Sequence, residues 1–153
     1  MISTTIEINA PPSKVRSVLL DFPNLRTYHT GLFKGITPLE PSYPDPSALA
    51  PGNTLFLEIG PPFTGTITQN TPDCFEWKGP PNYGILSGKH TFTFEESEVT
   101  PGGTTLGQSE EFAGVLFWAM SPWLMGRILK ATYEGFNEDL KRGVEGTTEG
   151  AKL

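Results

Sequence analysis

Cysteine is nearly missing from this chain of 153 residues: Cys74 stands alone. That excludes an internal disulfide and any multi-cysteine metal site, and it suits a reducing compartment. Positive charge is also scarce, with 11 Lys and Arg against 17 Asp and Glu and a net charge of −6. No basic face is available to displace counterions from a phosphate backbone, so nucleic acid is not expected as a partner, and anionic membrane surfaces are disfavoured for the same reason. Long apolar runs are lacking. The most apolar stretch, Phe112 to Leu129, is broken by Ser121, Pro122 and Arg127, whereas a spanning helix needs roughly 20 predominantly apolar residues. Met1 to Asn9 has neither the basic nor the apolar region of a secretory signal. These gaps lead us to expect a soluble, cytoplasmic protein without membrane insertion; its oligomeric state is left open.

The chemical vocabulary is restricted as well. With two histidines and one cysteine, a zinc site would require several converging carboxylates, so no metal is expected. No Gly-x-Ser-x-Gly elbow, phosphate-cradling glycine loop or dinucleotide fingerprint occurs, which argues against covalent or phosphoryl chemistry and leaves no cofactor expected. Cys74 has no nearby base and reads as an inert thiol.

What is abundant is punctuation: 17 Gly and 15 Pro divide the chain into short elements. Ile2, Thr4, Ile6 and Ile8 alternate with polar residues, the period of a half-buried strand. Val15, Val18, Leu19 and Phe22 then recur at helical spacing behind Pro11 and Pro12. A short turn reaches Tyr28 and His29, and a weak strand spans Phe33 to Leu39. Glu40 to Gly52 carries four prolines and is expected to be a long surface loop. Strands follow around Leu55 to Ile59, Phe63 to Asn70, Phe75 to Trp77, Ile85 to Glu96 and Gly103 to Phe112, each bounded by turn residues. Ser121-Pro122 opens a long helix with Met125, Leu129, Thr132, Phe136, Leu140 and Val144 as its apolar stripe. The pattern predicts a single α+β domain over residues 1–146, a curved antiparallel sheet of about seven strands gripping the last helix, with a flexible tail at 147–153. One helix cannot fill so bent a sheet, and the remaining room would suit a small apolar or aromatic ligand.

The order of elements resembles the SRPBCC, or START-like, superfamily. The matching residues are Ile6-Glu7-Ile8-Asn9-Ala10-Pro11 with Val15 beyond, Gly88-Lys89-His90-Thr91-Phe92-Thr93-Phe94, Gly103-Thr104-Thr105 leading to Glu110-x-Phe112-x-Gly114, and Phe136-Asn137-x-x-Leu140-Lys141. Together they span nearly the whole chain. The resemblance implies the helix-grip fold and an apolar cavity between sheet and helix. Fold alone does not transfer a reaction.

If Phe92 and Phe94 point inward, the two-residue period puts His90 on the same face. Pairing Glu96 with Thr104 across the following turn then sets Phe94 against Leu106, Phe92 against Gln108 and His90 against Glu110. Facing each other in an apolar cavity, His90 and Glu110 either satisfy one another as buried polar groups must or act as a general acid and base. Tyr28 and His29 are placed at a cavity rim or in a surface capping pair. Trp77, Tyr83, Phe92, Gln108, Trp118, Trp123, Tyr133 and Asn137 are candidates for ligand contact, with ordinary packing or capping as the alternative for each. Three functions fit. The first is a cofactor-independent polyketide-type cyclase or dehydratase using His90 and Glu110; the second is a non-catalytic carrier or sensor of a lipid, quinone or phenolic compound; the third is a chaperone-type interaction module using the Pro-rich loop.

Overall fold

The computed structural model describes residues 1–40, 45–80, 87–114, 123 and 125–149. The first strand, β1 (Ile2–Ile8), leads into α1 (Pro12–Leu20) and a 3-10 turn (Phe22–Thr27). Then come β2 (Gly35–Pro38), a one-turn 3-10 helix (Pro46–Ala48), β3 (Thr54–Glu58), β4 (Phe63–Thr71), β5 (Cys74–Lys78), β6 (Ser87–Glu96), β7 (Thr104–Ala113) and α2 (Met125–Glu149). Pro12 fills the first helical position of α1, where no amide donor is needed. Val15, Leu19 and Leu20 form the buried face of this helix.

All seven strands join one antiparallel sheet in the order β1-β7-β6-β5-β4-β3-β2. Its inner face continues from strand to strand: Leu55 and Leu57 on β3, Ile67 on β4, Phe75 and Trp77 on β5, Phe92 and Phe94 on β6 and Leu106 on β7 are all buried. Each fully buried side chain of this kind stabilises the fold by roughly 1.5–3 kcal/mol relative to exposure. The β4–β5 pairing shifts register between Ile67 and Gln69, which bends β4 and curves the sheet. Gly65 supplies clearance on β4: a Cβ there would lie 2.8 Å from Leu57 Cδ1 and 3.1 Å from Trp77 Cδ1.

α2 crosses this face, packing on β1, β7 and α1. Tyr133, Phe136, Asn137, Leu140 and Val144 are its buried residues, and Asn137 Nδ2 donates to Thr4 Oγ1 at 2.9 Å. The expected stripe is rotated slightly, because Thr132 turns back to bond the Ile128 carbonyl while Tyr133 takes the inward position. Gly143 accommodates the ring of Tyr28, whose Cβ and Cγ would lie 2.9 Å from an added Cβ.

Three expectations change. The weak strand shortens to Gly35–Pro38, because Phe33 leaves the sheet edge to pack in the core at 1% exposure. The Pro-rich loop contains the Pro46–Ala48 turn, capped by Asp45, which accepts from Ser47 N. The last helix continues past Gly146 to Glu149, into the region expected to be tail. Tyr83, Trp118, Ile85, Leu86 and the Ser121-Pro122 helix opening lie outside the described residues.

Candidate functional site

The β6–β7 hairpin positions the central side chains. Its turn uses Gly102 at φ +72°, a backbone region that favours glycine, and Ser97 N–H bonds the Gly103 carbonyl. The resulting register pairs Glu96 with Thr104, Phe94 with Leu106, Phe92 with Gln108 and His90 with Glu110. Glu110 and His90 therefore share the inner face, and both line a cavity of about 430 Å³. Its other walls include Leu32, Phe33, Trp77, Phe112, Leu129 and Tyr133.

His90 is held on every side. Its ring stacks on Trp77 with centroids 4.7 Å apart and an interplanar angle of 11°, while Phe33 and Tyr133 meet it edge-on at 5.8 and 5.3 Å. Gln108 Nε2 lies 2.9 Å from His90 Nε2. With the Gln108 amide nitrogen donating, the ring Nε2 accepts and the ring proton lies on Nδ1. Nδ1 faces Glu110 Oε2 at 3.5 Å. Tyr133 OH donates to that same Oε2. Glu110 is thus the partly exposed member of the group, its side chain 18% exposed against 5% for His90, and Tyr133 and His90 aim it. Gly88 leaves room for the carboxylate, since an added Cβ would lie 2.6 Å from Glu110 Oε1.

His29 forms a separate buried pair. Its Nδ1 donates to Asp139 Oδ2 at 2.7 Å, and its Nε2 accepts from Phe33 N–H at 3.1 Å. Asp139 also pairs with Arg142. With both nitrogens occupied and only 3% exposure, His29 fixes the loop that carries Phe33. It lines a shallower depression beside the main cavity, together with Leu32, Ile59 and Asp139.

Other candidates stand away from the cavity. Tyr28 packs on α2, its hydroxyl buried without a partner among the described residues; burial, reinforced by Asp21, pushes its pKa up. Phe92 is core, Gln108 serves His90, and Asn137 serves Thr4, so none of the three is among the cavity-lining side chains. Trp123 is 78% exposed. Cys74 is buried, and burial, with Glu76 and Asp73 nearby, raises its thiol pKa. Among the described residues no three His, Cys, Asp or Glu side chains are grouped to hold a metal, and no described helix is long and apolar enough to cross a membrane.

Sequence reasoning missed two partnerships, Tyr133 with Glu110 and Asp139 with His29. Helical spacing puts Tyr133, Phe136, Asn137 and Leu140 on one face, but it serves Thr132 equally well and so does not by itself select either partnership.

A sheet curved around a long helix, with an apolar cavity and a polar cluster between them, defines a helix-grip protein of the START-like class. The chain belongs to the polyketide cyclase / dehydrase and lipid transport family, whose model matches residues 1–145. No curated protein matches the sequence. Solved structures with the same fold include the hypothetical protein jhp0584 from Helicobacter pylori, with a TM-score of 0.72 at 12% identity over 93% of this chain and 86% of that one. A START superfamily protein from Mycobacterium smegmatis matches with a TM-score of 0.63 at 16% identity over 99% and 98%. The di-domain ARO/CYC protein StfQ from the steffimycin biosynthetic pathway matches with a TM-score of 0.61 at 12% identity, over 95% of this chain and 46% of that one.

Proposed function

We propose that the protein binds a small apolar or aromatic molecule in this cavity and catalyses a cofactor-independent proton transfer on it, of the cyclase or dehydratase type. The observation that carries the reading is the Glu110 cluster: one carboxylate at the cavity wall, aimed by Tyr133 and backed by His90 within 3.5 Å. A general base must reach its proton and hold a fixed orientation, and such positioning contributes typically 10²–10⁴-fold in rate. Glu110 takes the proton that the ligand gives up. Tyr133 OH and His90 Nδ1–H stabilise the carboxylate before the step, and the apolar walls hold the ligand in a reactive shape. The cyclase name of the family and of the StfQ neighbour supports the same reading.

A carrier without catalysis is the second reading, supported by the lipid-transport half of the family description and by the deep burial of His90. The two separate experimentally. Native mass spectrometry of the purified protein identifies any retained compound, which is then returned to ligand-free protein and followed by chromatography. Catalysis predicts consumption that Glu110→Gln slows at least about 100-fold while affinity stays within about tenfold. A compound recovered unchanged, or consumption untouched by the substitution, overturns the catalytic reading.

A further inference from the structure

Among the described residues the cavity wall carries the Glu110 carboxylate and no Lys or Arg to balance it. Glu110 is the one acidic group among the described residues that line it. Two lysines outside it are engaged elsewhere: Lys89 bridges Glu76 and Glu111, and Lys130 on α2 pairs with Glu134. The sequence stretches 81–86 and 115–124 contain no charged residue of either sign, so they can bring no counter-charge. Glu110 Oε2 already accepts from Tyr133 and faces His90, whereas Oε1 carries no hydrogen bond from a described residue and lies in the gap left by Gly88.

Resting on the cavity reading above, we infer that the ligand's polar end is a hydrogen-bond donor without negative charge, a protonated amine or a hydroxyl on an apolar body, seated on Glu110 Oε1. Carboxylates, sulfates and phosphates are rejected. An anionic head would face Glu110 as a like charge with no cation to neutralise either, and like charges brought together away from water repel strongly. An ammonium group would pair with the carboxylate beside the aromatic walls, where a cation is favoured further.

The test uses the full chain and a matched series at pH 7: 2-naphthylmethylamine, 2-naphthalenemethanol and 2-naphthoate, each competing against the neutral dye Nile red. The amine and the alcohol are expected to displace the dye at least about tenfold more tightly than the acid. Glu110→Gln should bring the three heads within about threefold of one another. A melting curve confirms that this variant is folded. Gly88→Ala is a second variant, which keeps the charge but shifts Oε1, and should weaken the amine by about tenfold. An acid that binds as well as the amine, or a head-group order that survives Glu110→Gln, overturns the inference while leaving the cavity reading intact. Absence of binding by Nile red and by all three probes overturns the cavity reading itself.

Discussion

His29 and His90 illustrate how a residue's partners decide what it can do. Both are buried, and both have Nε2 occupied, yet His29 gives its Nδ1 proton to a carboxylate on α2, whereas His90 directs Nδ1 to the carboxylate of the cavity. His29→Leu is therefore expected to destabilise the fold by about 1–3 kcal/mol, because Phe33 N–H loses its buried acceptor; urea denaturation measures this. Partial recovery in His29→Gln, whose amide can still accept, would identify the bond rather than ring packing as the cause. The facing of His90 and Glu110 was legible in the sequence because strand period and hairpin turn together fix a register. The Tyr133 and Asp139 contacts were not. They depend on how α2 is rotated over the sheet, and helical spacing alone allows Thr132 or Tyr133 to turn inward. Tyr28 and His29, which the sequence leaves at a cavity rim or in a surface capping pair, pack between the 3-10 turn and α2.

At the scale of elements, α2 offers a comparison within one helix. Gly135 is exposed and a Cβ there would meet nothing within 4 Å, while at Gly143 it would lie 2.9 Å from the Tyr28 side chain. Gly135→Ala should stabilise the protein by up to about 1 kcal/mol through helix propensity. Gly143→Ala should instead cost about 1–3 kcal/mol by overpacking, so the two urea midpoints should move in opposite directions. The Pro46–Ala48 turn shows a different dependence. Asn70 Nδ2 donates to the Leu49 carbonyl at 2.8 Å and to the Pro46 carbonyl at 3.2 Å, while its Oδ1 accepts from Arg16. Asn70→Ala should therefore lower stability by roughly 1–3 kcal/mol. The order and type of most elements were readable from apolar periodicity and from Gly and Pro. The β4 register shift was not, since it is a detail within one hairpin that leaves the apolar pattern readable either way, and this turn was not, since Asn70 holds it from 21 to 24 residues away.

For the whole molecule, the sheet depends on joining its beginning to its end. Ile2 pairs with Glu110 and Ile8 with Thr104, and Glu7 reinforces the junction by accepting from Ser97 Oγ and from Thr105 Oγ1. Those hydrogen bonds, Ser97 first, lower the Glu7 pKa from its ordinary 4.5. A depressed carboxylate contributes stability that is present above the unfolded value and is lost as pH falls through the folded one. Glu7→Gln should thus melt below the wild type at pH 7, with the two curves converging as the pH drops below 4.5; a gap constant across that range would remove Glu7 from the acid response. The β1–β7 junction also sets a timetable. Among the described strands of this sheet, β1 leaves the ribosome before the others and its partner β7 after them, and non-local pairing of this kind slows folding. A nascent chain stalled before Thr104 should remain protease-sensitive, its alternating isoleucines exposed, and β1 should acquire protection only after β7 has emerged.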